Sequence, residues 1–144
     1  MGDEQMDMFP PAAGRDLHPS EAYRQAWRHL EMREPDQAIA KLDPALAAEP
    51  DSLALRTLRA WAYFQSAQLS RAERDLAEIV ERCPTDVWAR FALGRVLERQ
   101  SRYADALPQL RLAAVMSGDA EHEAGVLRVE RRLAETEGSY DRLV

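Results

Sequence analysis

Cysteine, lysine and asparagine are almost missing from this 144-residue chain: Cys83 and Lys41 are single occurrences, and asparagine does not occur. One thiol excludes an internal disulfide framework. Cys83 precedes Pro84 and has no histidine near it in sequence, so it lacks the base that a nucleophilic or redox cysteine needs and reads as a small, half-buried side chain. Histidine is sparse as well. His18, His29 and His122 are scattered, and no His-x3-His or Cys-x2-Cys pair offers metal-ligand spacing. No glycine-rich loop follows a strand, so a phosphate cradle is absent. Cations are outnumbered, 19 Lys and Arg against 25 Asp and Glu, for a net charge of −6; nucleic acid is a poor partner for such a surface, because phosphate binding needs surplus positive charge. No apolar run approaches membrane-spanning length. Residues 1–7 are acidic and have neither a basic segment nor an apolar core, so no secretory signal is expected. Gly2 is followed at position 6 by Met6, which breaks the myristoylation pattern. The expectation is a cytoplasmic protein that is not an enzyme, with no cofactor, no metal, no nucleic acid and no membrane partner. The preference for arginine over lysine, with abundant alanine, suggests a GC-rich bacterial source.

What the chain does have is a period. Ala38, Ala72 and Ala106 stand 34 residues apart. The same spacing relates the small residues Ala26, Ala60 and Gly94, the trio Leu42, Leu76 and Leu110, the pair Trp27 and Trp61, and Pro50 with Pro84, Gly118 filling the next slot. A repeat of this length is the signature of stacked helical hairpins, none of which can bury its apolar face alone. Hydrophobic content of 46% with 31% charged residues fits a folded helical domain.

Residues 1–18 carry no helical period, and Pro10, Pro11, Gly14 and Pro19 break any helix there. They read as an acidic, proline-containing arm. From Ser20, an N-cap type, a first helix is expected to about Glu31, and Pro35 suits the first turn of a second helix to about Ala48. Asp51 or Ser52 caps a third helix to about Ser66, and Ser70 a fourth to about Arg82. Thr85 or Asp86 opens a fifth, to about Gln100. A sixth covers about Tyr103 to Met116, and a last one about Ala120 to Thr136, ended by Gly138. Pro44 and Pro108 fall inside helices, where each removes a backbone bond at a cost of about 3 kcal/mol; kinks or early helix ends are expected there.

These residues resemble the tetratricopeptide repeat family, whose pattern is Trp-x2-Leu-Gly-x2-Tyr, then Ala-x3-Phe, then Pro. The second repeat matches at Ala60, Tyr63, Ala72, Leu76 and Pro84. The third matches at Leu93, Gly94, Ala106 and Leu110, with Leu97 in the tyrosine slot. The first offers Ala26, Ala38, Leu42 and Pro50, with His29 where tyrosine is usual. The family's tryptophan slot holds Ala22, Arg56 and Arg90, a clear departure. The resemblance implies an all-α, right-handed α-solenoid of stacked antiparallel helix pairs, about seven helices. Its repeats would cover about 19–52, 53–86 and 87–118, with a capping helix at about 120–136, in one domain from 19 to 137 followed by a tail, 138–144.

The resemblance also implies that the first helix of each pair faces a concave groove. Helical spacing of three and four places Tyr23, Trp27 and Leu30, then Thr57, Trp61 and Phe64, then Trp88, Phe91 and Arg95 on those faces, with Arg99 nearby. Aromatic rings in a concave patch serve as interface anchors. Phe64 and Phe91 read as filling between neighbouring repeats, whereas Trp27 and Trp61 fit either role. Arg95 and Arg99 would make one end of the groove basic, unless Glu98 neutralises it. The Lys, Asn and Arg clamp with which some members of the family hold a terminal carboxylate is replaced by Tyr23, Trp27 and Trp61, so an apolar or amphipathic protein segment is the expected ligand. Met6, Met8 and Phe9 also equip the arm, which could span up to roughly 60 Å, to dock in its own groove or that of a second copy; otherwise it is a plain acidic terminus. Glu121 and Glu123 beside His122 point different ways on a helix and read as a solvated helix start. Two functions fit: an adaptor or chaperone-like module for another protein or peptide, and an assembly protein that uses its aromatic face to form a homodimer.

Overall fold

The computed structural model describes Pro10 and residues 20–143. Among these, all regular structure is helical: α1 (Glu21–Glu31), α2 (Pro35–Ala48), α3 (Leu53–Gln65), α4 (Leu69–Arg82), α5 (Val87–Arg99), α6 (Tyr103–Ser117) and α7 (Ala120–Leu143). No described helix is long and apolar enough to cross a membrane. The helices fall into two compact units, Met1–Pro84 and Thr85–Val144.

The first helices of the pairs start where a polar side chain can take an orphan amide. Ser20 Oγ accepts from the Tyr23 amide at 3.3 Å, Ser52 Oγ from the Leu55 amide at 3.3 Å, and Asp86 Oδ1 from the Ala89 amide at 2.9 Å. They end in one repeated turn. Arg33, Ala67 and Ser101 each adopt a left-handed backbone, with φ of 58°, 57° and 60°. The following amides of Glu34, Gln68 and Arg102 reach back to the carbonyls of His29, Tyr63 and Leu97 at 2.8, 2.8 and 2.9 Å. The amides of Arg33, Ala67 and Ser101 close the inner bonds to Leu30, Phe64 and Glu98 at 3.1, 3.1 and 2.9 Å. This is the Schellman closure, made here by three different side chains on an identical backbone.

The closure fixes where the second helices begin. The expectation that Ser70 caps α4 is corrected: the helix starts at Leu69, and Gln68 holds the cap position without its side chain accepting a bond from the first-turn amides. Both prolines lie within continuous helices, so the expected early ends do not occur. The carbonyls that lose a partner belong to Ala40 and Ala104, and both these alanines and the prolines are exposed, so water can take the missing bond. Nor does Gly138 end α7, which continues to Leu143.

In the first unit α1 packs on α2 and α3, α2 also on α3, and α3 on α4; in the second, α5 packs on α6 and α6 on α7. The small residues stand where paired helices approach. Ala26, Ala38, Ala60 and Ala72 are buried, as are Leu42 and Leu76. Gly94 lies directly against Leu110. Each fully buried leucine contributes roughly 1.5–3 kcal/mol, and Val129 adds the anchor of α7.

Candidate functional site

The first-helix stripe is closed rather than open. In the first unit Tyr23 stacks on Trp27 with centroids 6.1 Å apart, and Trp61 on Phe64 at 5.8 Å. Trp27 keeps 3% of its surface exposed and Trp61 1%; Tyr23, Leu30 and Phe64 are also buried. The Trp27 indole N–H donates to Glu31 Oε1 at 3.0 Å. Burial raises the Tyr23 hydroxyl pKa above the usual tyrosine value. Thr57 is half-buried. The arm expected at residues 1–18, with Met6, Met8 and Phe9, lies outside the described residues except for Pro10.

In the second unit Phe91 is buried and its ring meets His122 at 4.2 Å between centroids, tilted by 31°. His122 Nδ1 lies 2.7 Å from Ser117 Oγ. The expectation of a solvated helix start is therefore corrected at His122, which covers Phe91 while Glu121 and Glu123 stay exposed. Trp88 is half-buried and Arg99 exposed. Arg95 is buried, and Glu98 takes its Nη1 at 2.7 Å together with Arg128 Nε at 2.5 Å and Nη2 at 3.0 Å. Burial pushes the Glu98 carboxyl upward, but the bonds from Arg128 and the charge of Arg95 outweigh it and hold the carboxyl below the ordinary glutamate value. Of the two arginines expected to make this end basic, Arg95 is thus balanced by a carboxylate.

Two arrangements escaped the sequence reading. On the second unit, Ala114, Val115, Val126 and Leu127 floor a cleft of about 420 Å³ between α6 and α7. Val115 is 84% and Leu127 63% exposed. Arg111 Nη2 meets Glu130 Oε1 at 2.9 Å on the rim, beside Glu123. On the first unit, Asp75 of α4 is buried to 2% exposure. Arg59 forks onto it, Nε to Oδ2 and Nη2 to Oδ1, both at 2.8 Å, and Arg56 Nη1 adds a third bond at 3.2 Å. The signal for this cluster was half visible. Arg56 and Arg90 occupy the family's tryptophan slot, and Arg90 Nη1 donates to Gln109 Oε1 at 3.0 Å, the same 19-residue step that joins Arg56 to Asp75. Among the described residues no group of three or more His, Cys, Asp or Glu is placed to hold a metal ion.

Comparison with known proteins agrees with the helix-pair geometry. The first TPR domain of human RPAP3 superposes with a TM-score of 0.75 at 21% identity, over 83% of this chain and 94% of that one. The TPR domain of Arabidopsis OM64 gives 0.73 at 16% identity, over 83% and 96%. MamA of MSR-1 gives 0.72 at 19% identity, over 81% and 68%. At these identities the likeness shows the fold. No curated protein matches this chain. The tetratricopeptide repeat model matches residues 23–87 and again 57–121, well over half of the sequence, and the chain belongs to the tetratricopeptide repeat family.

Proposed function

We propose that this protein–protein interaction module is a cytoplasmic adaptor or chaperone-like protein that holds an apolar or amphipathic segment of another protein. The observation that carries this reading is the α6–α7 cleft of the second unit, an apolar floor with strongly exposed Val115 and Leu127. Exposed apolar surface of this kind, rimmed by charge, marks interaction sites. Its rim carries Arg111 on α6 and the carboxylates of Glu123 and Glu130 on α7, so an amphipathic helix would lay apolar residues on Ala114, Val115, Val126 and Leu127 and set opposite charges against the two edges. The first-helix stripe contributes what it leaves uncovered: Thr57 in the first unit, Trp88 and Arg99 in the second. Its buried rings rigidify the helix pairs instead.

The test is site-specific photo-crosslinking in source cells, with the crosslinker at Val115, at Thr57, at Arg99 or, as a control, at the exposed Ala40. The expected result is a crosslinked protein from position 115 that disappears in a Leu127→Glu background. Crosslinks from positions 57 and 99 alone would move the partner to the first-helix stripe and overturn the α6–α7 cleft. A product containing only a second copy of the chain would make self-assembly the function.

A further inference from the structure

The surface of this acidic chain has a local exception on the first unit. Asp43, Leu46 and Ala47 of α2, Arg56, Arg59 and Tyr63 of α3, and Arg71 of α4 line an open cleft of about 560 Å³. Three guanidinium groups converge on it. The one deeply buried carboxylate beneath, Asp75, is already shared by Arg56 and Arg59.

Donor accounting leaves capacity unused. Arg59 has five N–H bonds to offer. It commits two to Asp75 and one, from Nη1, to Asp43 Oδ1 at 3.2 Å. Arg56 gives one to Asp75 and one, from Nη2, to the Pro50 carbonyl at 2.8 Å. Its Nε is buried and has no partner among the described residues. Arg71 spends one donor on Gln68 Oε1 at 2.8 Å. The two guanidinium groups of Arg59 and Arg71 lie over the Tyr63 ring, 5.7 and 5.9 Å from its centroid, which fixes them as a pair of cations about one aromatic plate. Asp43 is the weak member. Its side chain is half exposed and touches only the outer nitrogen of Arg59, and a pair of that kind contributes about 0–1 kcal/mol. A competing carboxylate can therefore displace it.

We propose that this α2–α3–α4 cleft is a carboxylate-binding site that receives an acidic segment of a partner protein, one side chain displacing Asp43 from Arg59 and extending to Arg71 and the remaining Nη1 and Nη2 donors of Arg56, its buried Nε staying out of reach. A carboxylate fits better than a lone spherical anion, because guanidinium groups bind it through paired, parallel N–H bonds. Leu46 and Ala47 on the α2 wall give an apolar neighbour to the acidic residue. The site does not depend on the α6–α7 cleft, which belongs to the other unit.

The test is titration of the full-length protein with an acetylated tetraglutamate peptide and, separately, with inorganic phosphate, reading the arginine Nε–Hε resonances by NMR. The peptide is expected to shift the Arg56, Arg59 and Arg71 signals saturably while leaving Arg24 and Arg142 unmoved. Arg71→Ala, at an exposed position, should weaken peptide binding at least fivefold. Asp43→Asn should tighten it about three- to tenfold, because it removes the competing carboxylate and leaves every bond to Asp75 in place. A purely structural arginine cluster would not gain affinity in this variant. Phosphate binding as strong as peptide binding would overturn the carboxylate assignment. Absence of shifts with the peptide, or unchanged affinity in Asp43→Asn, would overturn the site.

Discussion

Gly94→Ala adds one methyl group and should destabilise the protein by about 1–2 kcal/mol. An added Cβ would lie 2.5 Å from Leu110 Cδ2 and 2.6 Å from Leu110 Cγ, with the Leu110 amide nitrogen at 3.4 Å. Ordinary carbon contacts are near 3.5–4.0 Å, so roughly an ångström must be found. Leu110 is fully buried and cannot swing into solvent; α5 and α6 must separate or the leucine must leave its rotamer. Overpacking of this kind costs about 1–3 kcal/mol, and the severity of the overlap argues for the upper half. Two effects oppose it. Alanine gains about 1 kcal/mol over glycine in a helix interior. The equivalent positions of the other repeats already hold alanine, Ala26 and Ala60, with Leu42 and Leu76 in the slot of Leu110, so a slightly wider hairpin is a viable geometry. Urea unfolding should show a lower midpoint with an unchanged slope, together with faster amide exchange along α5 and α6. In a Leu110→Ala background the same substitution should be neutral or stabilising, since the opposing atoms are gone. A Gly94→Ala midpoint at or above that of the parent, or a penalty that persists without the leucine side chain, would refute the close-contact argument.

Asp75→Asn should cost about 1–3 kcal/mol, measured by urea or thermal unfolding, because two arginines lose their buried counter-charge while their guanidinium groups, on the open cleft, keep access to water; a change within 0.5 kcal/mol would show that the cluster contributes nothing to stability. Glu98 has its carboxyl held below the ordinary value near 4.5, so its contribution is present above that value and is lost as pH falls through the lower folded-state pKa. The parent's advantage over Glu98→Gln in urea midpoint should therefore shrink as pH is lowered below about 4.5, and parallel pH curves would contradict the ion-pair assignment. Gly138→Ala should raise stability by up to about 1 kcal/mol, as Gly138 stands within α7 and has nothing within 4 Å of an added Cβ; a loss in the melting temperature would place a helix end there instead. Ala67→Gly should raise the melting temperature slightly or leave it unchanged, because a left-handed alanine costs about 1–2 kcal/mol and glycine's extra unfolded-state entropy returns part of that.

The helical frame was legible because its signals are local. Ser20, Ser52 and Asp86 cap the helices whose starts their side chains suggest, and Pro35 opens α2. The start of α4 was misread because the deciding bonds are backbone bonds of the preceding turn, which Arg33, Ala67 and Ser101 share without sharing a side chain. The early helix ends expected at Pro44 and Pro108 do not occur for a related reason. The cost of Pro44 or Pro108 depends on whether water reaches the freed carbonyl, and exposure is a property of the packed helix. For the candidate site, spacing placed Tyr23 with Trp27 and Trp61 with Phe64, and both pairs do stack. Periodicity on one helix names a face; it does not say whether that face is covered, and these are. The Arg56–Asp75 and Arg90–Gln109 bonds and the α6–α7 cleft join residues of different helices, which no single-helix pattern can display.

The repeat and its departures have different physical roles. Positions that recur at 34 residues, such as Ala38, Ala72 and Ala106 or Leu42, Leu76 and Leu110, are fully buried or nearly so and see the same helix–helix approach in each pair; any other size opens a cavity or forces the helices apart. They specify the hairpin and carry nothing particular to this protein. The slot in which the family keeps a tryptophan has no such constraint once its neighbour changes too. In the second repeat it holds Arg56, answered by Asp75, and in the third Arg90, answered by Gln109. In the first, Ala22 and the exposed Lys41 stand in the corresponding positions. In the second and third repeats an apolar wedge has thus become a polar contact, charged on both sides in one and on one side in the other. A buried charge cluster seldom improves stability over a well-packed apolar one. Only the second repeat carries the cluster in full, with its open arginine cleft beside it, and recognition of a partner's charge gives a reason for that difference which folding alone does not supply.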